Sequence, residues 1–368
     1  MPQVDIDGLN STLKADVIRG QAGTSTKLGG DLDLNGNDIT GTGSIPAVSA
    51  QKNIIINGDF NIWQRGTTAT GIANSPTYVA DRWAAWGAGV GTDITFSRQA
   101  AALVTHVYCA KVQRTSTETD VSGIGISQNL ENFSSYPMQG KVVTLSFYAK
   151  KGANFSATSD LIRVKMSTGT TGNESTATFS GGPASGFTGN AVALDTTQAI
   201  TASWVKYSFT TSALASDMAQ LGLWIYANPT GTAGADDSFY ITGVQLETGS
   251  VATDFEVKNH ADEFARCQRY YEITGIGASG AWSSSGAATV GGAFAVEKRA
   301  IPTMSLNTTT PGMSEPGVAN RTGTASTYSV DPTGGTSSWS GSINGFTSAT
   351  GTNPAILRTN AIVANAEL

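Results

Sequence analysis

The apolar residues of this chain come in short runs, and glycine, asparagine, serine and proline separate them. Glycine accounts for 43 of the 368 residues and charged residues for only 14%, which is typical of many short strands joined by turns. The candidate strands between residues 51 and 258 are 53–56, 94–98, 104–112, 124–130, 142–149, 162–166, 204–209, 221–226 and 239–246. These runs alternate or are rich in β-branched residues. They predict an all-β fold with a jelly-roll or related β-sandwich over residues 51–258, in which 167–202 forms a long surface loop or an inserted ribbon.

Residues 1–50 have a different pattern from the rest of the chain. Leu9, Leu13 and Val17 are spaced as one stripe of a helix. Leu32 and Leu34 alternate with polar residues just before an Asn-Gly pair, which is typical of a hairpin. A segment this short cannot bury a core alone. We therefore expect it to assemble with copies of itself or with another protein, as an anchor and the start of a shaft.

A helix and a second β-rich region are predicted after residue 258. In the stretch 259–273, Asn259 is a candidate N-cap, and Phe264, Cys267 and Tyr271 fall on one helical stripe. Short strand-like runs return from residue 274 to the end of the chain. The sequence thus predicts a short linker helix over 259–273 and a small β-sandwich tip over 274–368, a size that suits an independent domain.

Charge and residue usage exclude several classes of protein. The net charge is -6 and the pI is about 5.0, so no nucleic-acid partner is expected. No apolar run is long enough to span a membrane, and the N-terminus lacks the apolar core of a signal peptide. Two cysteines, Cys109 and Cys267, are too few for a disulfide framework or a thiolate metal site. These features fit best a protein that is made in the cytoplasm and has no disulfides.

The sequence offers few groups for catalysis. The two histidines, His106 and His260, lie in a strand-like run and at a helix start, where structural roles are expected. No nucleophile elbow, zinc-protease helix or phosphate loop occurs. The acidic residues Asp236, Asp237 and Glu247 flank the last strand of the sandwich. In a loop, aspartate side chains accept hydrogen bonds from the backbone N–H groups of the turn, which explains these residues without catalysis. We predict that the chain is not an enzyme and has no catalytic residues.

Several motifs, taken in order, resemble bacteriophage fibre proteins. They are "NIIINGDFNIWQRGT" (53–67), "YVADRWAAW" (78–86), "KVVTLSFYAKKG" (141–152), "FYITGVQLETGSVATDFE" (239–256) and "CQRYYE" (267–272). "FAVEKRAIPTM" (294–304) and "ANAEL" (364–368) resemble the receptor-binding end of such fibres, and "GGDLDLNGNDITG" (29–41) resembles their shaft segments. The resemblance implies a homotrimer on a virion, in which three copies of residues 1–50 bury Leu9, Leu13 and Val17 against one another.

The middle region also resembles jelly-roll carbohydrate-binding modules. Asn57, Gly58 and Phe60 match their opening strand, and 240–246 matches their closing strand. Such modules often hold a structural Ca²⁺ between these two strands. Here the matching positions are Asn61 and 242–243, which carry no carboxylate. Because Ca²⁺ prefers charged oxygens, the sequence predicts no cofactor and no assigned metal residues.

The aromatic residues are the candidates for sugar stacking. Trp63 and Trp86 lie in the fibre-like motifs, near Arg65, Asp81 and Arg82. These residues form either a buried corner of the sandwich or a sugar-binding site. The strand-like run 221–226 puts Trp224 and Tyr226 on one face, and the sequence does not tell which face is buried. In the tip, aromatic residues in Ser/Gly-rich loops are better candidates for receptor contact; they are Trp282, Trp339 and Phe346.

The predicted function is that of a virion fibre protein. It is attached to another virion protein, on the tail or the capsid, through residues 1–50, and it recognises a host-surface glycan without cleaving it. One alternative is a capsid-mounted head fibre, decoration protein or tail adaptor with a mainly structural role. Another is a glycan-degrading tailspike, which the scarcity of histidine and the lack of β-helix repeats disfavour.

Overall fold

The computed structural model describes residues 52–73, 75–89, 93–174, 187–284, 286–308, 311–314, 321–322, 327–330, 335–346, 353–358 and 362–367. The predicted trimer and anchor residues Leu9, Leu13, Val17, Leu32 and Leu34 lie outside this part of the chain. In the described part, no helix is long and apolar enough to cross a membrane.

Two six-stranded antiparallel sheets form a β-sandwich. The first sheet has the order β1-β4-β5-β12-β7-β10 and the second has the order β2-β3-β6-β11-β8-β9. Their strands are β1 Thr68–Ile72, β2 Thr77–Tyr78, β3 Ala84–Gly87, β4 Ile94–Leu103, β5 His106–Arg114, β6 Ile124–Leu130, β7 Val143–Lys151, β8 Leu161–Gly169, β9 Ala191–Ala199, β10 Val205–Thr210, β11 Gln220–Ala227 and β12 Ser238–Thr248. One-turn helices lie at α1, Asn132–Ser135, and at Tyr136–Met138 and Thr158–Asp160.

Alternation along the strands decides which side chains fill the sandwich. On β11, Leu223 and Ile225 belong to the core between the sheets, so Trp224 and Tyr226 point to the outer face of the second sheet. On β12, Phe239 and Ile241 are in the same core, so Tyr240 points to the outer face of the first sheet. Each sheet therefore has one apolar inner face, which forms the core, and one outer face whose side chains do not belong to that core.

The all-β prediction is confirmed, with two differences in detail. Eight of the nine predicted strand runs overlap observed strands, but 53–56 is not a regular strand. It bends into a turn in which Asn57 and Phe60 have positive φ angles of 55° and 54°. The second difference is β9, a strand inside the segment 167–202 for which a long surface loop or an inserted ribbon was predicted; its pairing with β8 agrees with the ribbon and not with the loop. As an edge strand with mostly exposed side chains, β9 does not have the apolar alternation that would reveal it.

A second pair of antiparallel sheets follows the sandwich. A three-stranded sheet has the order β13-β22-β16, and a seven-stranded sheet has the order β18-β17-β21-β14-β15-β20-β19. The strands are β13 Tyr271–Thr274, β14 Ser279–Ser284, β15 Ala287–Ala293, β16 Thr303–Leu306, β17 Gly312–Ser314, β18 Arg321–Thr322, β19 Thr327–Val330, β20 Ser338–Asn344, β21 Pro354–Leu357 and β22 Ile362–Asn365. Both sheets contribute side chains to one core, as the predicted second sandwich requires.

Helix α2, His260–Gln268, packs against the start of the first sandwich. The Asn259 side chain accepts a hydrogen bond from the backbone N–H of Ala261 at 2.8 Å, which confirms the predicted N-cap. The buried Cys267 lies in one apolar cluster with Ile56 and Ile62. The predicted end at residue 273 is wrong, because the chain turns into β13 after the helix. The helix is therefore a packed part of the structure and not a free linker.

The fibre-like motifs meet where the last strands contact the first sandwich. Arg65 donates to Asp81 Oδ1 and to Glu367 Oε1, both at 3.1 Å. The Arg82 guanidinium pairs with Glu367 and lies 3.6 Å from the ring centroid of Tyr270. We call this cluster of Arg65, Asp81, Arg82, Tyr270 and Glu367 the seam. Four of the fibre-like motifs, 53–67, 78–86, 267–272 and 364–368, thus supply side chains to a single buried network.

Candidate functional site

The structure buries the aromatic residues that the sequence assigned to receptor contact. Trp282, Trp339 and Phe346 are 1%, 4% and 5% exposed, and the rings of Trp282 and Phe346 pack edge to face at 5.1 Å. The expectation that they are exposed is wrong, because strand alternation turns them into the core of the second pair of sheets. Trp63 is also buried in the main core, where its Nε1–H donates to the Phe60 carbonyl at 2.6 Å. A sugar needs an open ring face, which these residues do not offer.

Trp86 belongs to a different group of aromatic residues. It forms a cluster with Phe187, Trp224 and Tyr226 on the outer side of the second sheet, separate from the main core, and the four side chains are buried, with 2–7% of their surface exposed. The Trp86 and Tyr226 ring centroids are 5.6 Å apart, and those of Phe187 and Trp224 are 5.9 Å apart. We call these four residues the aromatic face. Of the predicted glycan-contact residues, only Trp86 lies in it.

Glycines beside the aromatic face allow the large rings to lie against the sheet. Gly125 is the cross-strand neighbour of both Trp86 and Tyr226. A Cβ atom on Gly125 would stand 2.5 Å from the Tyr226 Cβ atom, and one on Gly222 would stand 2.3 Å from the Trp224 ring. Both distances are too short for real contacts. The two glycines are therefore required for the present positions of Trp224 and Tyr226.

Charged side chains continue the aromatic face along the same rows of the sheet. Tyr226 is paired across strands with Arg163, and Trp224 is paired with Lys165. Arg163 forms a bidentate ion pair with Asp195, with Nε–Oδ1 at 2.6 Å and Nη2–Oδ2 at 2.7 Å. The hydrogen bond from Arg163 lowers the pKa of Asp195, and burial raises the pKa of Tyr226. The donors of Arg163 and the acceptors of Asp195 thus lie together beside the rings, and the charges of these two side chains largely compensate each other.

An open groove begins at Arg163 and runs along the end of the sheet. Its volume is about 330 Å³, within the range of small-molecule sites. The lining residues are Ala157, Thr158, Leu161, Ile162, Arg163, Thr197, Asn228, Pro229 and Thr230. Hydroxyl and amide groups dominate its polar lining, and Arg163 belongs both to the groove and to the row of Tyr226. The groove is therefore the open part of this region, and none of the four buried rings of the aromatic face lines it.

The acidic and histidine residues do not form a catalytic arrangement in the described part of the chain. The buried Asp237 accepts from Arg114 at 2.8 Å and Ser156 at 2.8 Å, so it is a structural acid beside a turn, as predicted. Burial is the largest cause that lowers the pKa of His106, and its ring packs against Phe255 at 4.9 Å. His260 stacks on Phe264 within helix α2. The prediction that the chain is not an enzyme stays a prediction.

The residues near the expected calcium position do not fit a calcium ion. Thr242 donates through Oγ1 to the Tyr108 carbonyl at 2.8 Å. The Lys258 ammonium donates to the carbonyls of Asn53 at 2.6 Å and Ile55 at 3.2 Å. The positive charge in this region is therefore supplied by a lysine side chain. Burial lowers the pKa of Lys258 to about 8. Among the described residues, no group of three or more His, Cys, Asp or Glu is placed to hold a metal ion.

No protein-family model matches this chain. No curated protein matches it either. Similar solved structures include a CBM4 structure, with 18% identity over 52% of this chain and 98% of that chain and a TM-score of 0.31.

Two further structures are similar over a comparable part of the chain. A sugar-binding protein from Bacteroides thetaiotaomicron is 11% identical over 54% of this chain and 100% of that chain, with a TM-score of 0.35. The enzymatically active domain of tailspike protein 4 from bacteriophage CBA120 is 10% identical over 54% of this chain and 21% of that chain, with a TM-score of 0.30. At these identities and TM-scores, the similarities carry no argument about the ligand or the activity of this chain.

Sequence reasoning missed most of the candidate site. Trp224 and Tyr226 were placed together on one face, but alternation alone does not tell the inner face from the outer one. Arg163 and Asp195 come from two strands whose pairing is visible only in the structure. The available signal was the run 220–226, in which Gly222 and the two rings fall on the face opposite the aliphatic residues.

Proposed function

We propose that this chain binds a neutral glycan in the groove at Arg163. One observation carries the proposal: a compensated Arg163–Asp195 pair stands at an open groove of about 330 Å³ whose polar lining consists mainly of hydroxyl and amide groups. Paired donors and acceptors of this kind bind the hydroxyl groups of a sugar. The buried rings of the aromatic face support the strand that carries Arg163 and do not themselves offer an open surface.

Each part of the site has a separate role in this binding. Arg163 is fixed by Asp195, so its remaining donors point to a sugar hydroxyl with little loss of side-chain entropy. Asn228 and Thr197 line the groove and provide amide and hydroxyl groups. Tyr226 stands next to Arg163 in the same row of the sheet. Because Asp195 is held ionised by Arg163, it is unsuited to protonate a glycosidic oxygen, which favours binding over cleavage.

We propose further that the chain is a trimeric virion fibre protein that carries this site to the host surface. The ordered fibre-like motifs support this proposal, and four of them supply side chains to the seam. In this account residues 1–50 attach the chain to another virion protein on the tail or the capsid. Three copies of a weak site on one fibre raise the overall affinity through effective concentration.

Affinity electrophoresis against a panel of neutral polysaccharides, including xylan, β-glucan and bacterial O-antigen, tests the glycan proposal. We expect retardation of the wild type by at least one of them. We expect Arg163→Gln and Asn228→Ala, two substitutions in the lining of the groove, to weaken binding about tenfold or more, since loss of a central anchor costs about 1.5 kcal/mol or more. The matched control is Tyr136→Ala, which removes an exposed aromatic ring that does not line the groove. Equal binding by all variants would contradict the proposal.

A further inference from the structure

A second group of aromatic and basic side chains lies on the outer face of the first sheet. On β12, Tyr240 is paired across strands with Lys111 on one side and Lys150 on the other. Trp204, just before β10, packs edge to face against Tyr240 with 6.4 Å between the ring centroids. We call Lys111, Lys150, Trp204 and Tyr240 the lysine–tryptophan patch. It lies on the opposite side of the sandwich from the aromatic face.

The two lysines of this patch differ in how their charges are compensated. Lys111 Nζ lies 2.8 Å from Asp236 Oδ1. Lys150 Nζ lies 5.1 Å from the Trp204 ring centroid and 4.7 Å from that of Tyr240. Among the described residues, no carboxylate lies within ion-pair distance of Lys150. The N–H groups of its ammonium can therefore donate to an anionic ligand, and the two rings shield the ammonium partly from water.

The aromatic part of the patch is held in a fixed position. The Trp204 Nε1–H donates to the Ala101 carbonyl at 2.7 Å, and Tyr240 has Lys111 and Lys150 near its ring. Trp204 is only partly buried, unlike the other tryptophans discussed above. A rigid, accessible ring next to a cation costs little conformational entropy on binding. This combination suits a ligand that has both an apolar face and a negative charge.

The charge of the surroundings narrows the class of ligand. The chain as a whole has a net charge of -6, which repels a polyanion such as a nucleic acid. Near the patch, Lys206 donates to the Thr253 carbonyl at 2.7 Å and adds a further positive charge. A local positive site on an acidic protein is complementary to a single carboxylate and not to a long phosphate backbone.

We infer that the lysine–tryptophan patch is a second saccharide-binding site, specific for acidic sugars such as uronates or sialic acids. The sugar carboxylate binds the Lys150 ammonium, and the C–H face of the sugar packs on the Trp204 ring. This site is independent of the one at Arg163, since the two lie on opposite outer faces of the sandwich. A chain with both sites recognises a glycan of mixed charge.

The test is titration of the full chain with three probes, monitored by isothermal titration calorimetry. The probes are a galacturonate hexamer, its methyl-esterified form, and an α2,8-linked sialic acid hexamer. We expect binding of at least one acidic hexamer, no binding of the ester, and a loss of affinity when NaCl is raised to about 0.5 M. We expect Lys150→Gln and Trp204→Ala each to weaken binding about fivefold or more, as loss of a charge or ring at a small site does.

A matched variant separates this inference from the proposed function. Lys165→Gln removes a lysine from the outer face of the second sheet and should bind the acidic hexamer like the wild type. Failure of both acidic probes, or unchanged binding by Lys150→Gln and Trp204→Ala, would overturn the inference. Competition by a single-stranded oligonucleotide would overturn it in favour of a nucleic-acid site. None of these outcomes depends on whether the groove at Arg163 binds a neutral glycan.

Discussion

Arg82 and Glu367 form a buried ion pair that joins the first sandwich to the last described residues of the chain. The Arg82 side chain is 1% exposed and that of Glu367 is 5% exposed. Arg82 Nη2 also donates to the Asn129 carbonyl at 2.5 Å. Although burial acts to lower the pKa of Arg82, the charge of Glu367 holds it above its usual range. The pair fixes the second pair of sheets against the sandwich.

Removal of the Glu367 carboxylate should destabilise the seam strongly. We expect Glu367→Ala to lower the free energy of unfolding by about 3–5 kcal/mol, because a buried arginine is left without its partner. Urea denaturation followed by circular dichroism measures this. The control is Asp160→Asn, which breaks the exposed Lys151–Asp160 pair and should cost no more than about 1 kcal/mol. Equal effects of the two substitutions would contradict the role of the seam.

Asp81 should make stability depend on pH. Burial raises its pKa to about 6 from a usual value of 3.8, although Arg65 opposes the shift. A raised carboxyl pKa means that the folded state binds the proton more tightly than the unfolded state. The resulting stabilisation is complete below pH 4 and is lost as the pH rises to about 6, a change of about 1–3 kcal/mol.

Comparison with Asp81→Asn isolates this contribution. The difference in the free energy of unfolding between wild type and Asp81→Asn should fall as the pH rises from 4 to about 6. Above that pH it should be constant. A difference that rises over this interval would show that the seam favours ionised Asp81, contrary to our account.

The sequence specified the all-β class and most of the central strands, because inner-face residues such as Leu223 and Ile225 alternate clearly with their neighbours. It did not reveal β9, whose side chains are mostly exposed on an edge. The sequence also did not predict that Trp339 is buried. A tryptophan between serines is typical of a loop, and the pairing of β20 with β15 is known only from the structure. The seam depends on contacts between residues 82 and 367, and no local pattern encodes such a distant pair.

Trp282 should contribute to stability and not to recognition. Its ring is fully buried against Phe346, so Trp282→Ala should cost about 3–5 kcal/mol of unfolding free energy. At a temperature where the variant remains folded, its affinity for a neutral polysaccharide should equal that of the wild type. A selective loss of binding without a loss of stability would restore the sequence-based assignment of Trp282 to receptor contact.

The fibre proposal predicts a trimer in solution. We expect light scattering to give three times the mass of one chain for the full-length protein. The same measurement on residues 51–368 locates the interface: a monomer assigns it to residues 1–50, and a trimer assigns it to the two pairs of sheets. A full-length monomer would contradict the self-assembled fibre, while the glycan site at Arg163 would be unaffected.

The central claim is that a neutral glycan binds in the groove at Arg163, next to the aromatic face, and NMR of the indole N–H signals tests it most directly. The chain has seven tryptophans, whose signals are assigned with single Trp→Phe variants. The titrant is an oligosaccharide of whichever neutral polysaccharide retards the wild type in electrophoresis. We predict that the signals of Trp86 and Trp224 shift while those of Trp282 and Trp339 stay unchanged. Shifts confined to Trp282 and Trp339 would place the site in the second pair of sheets and contradict the account.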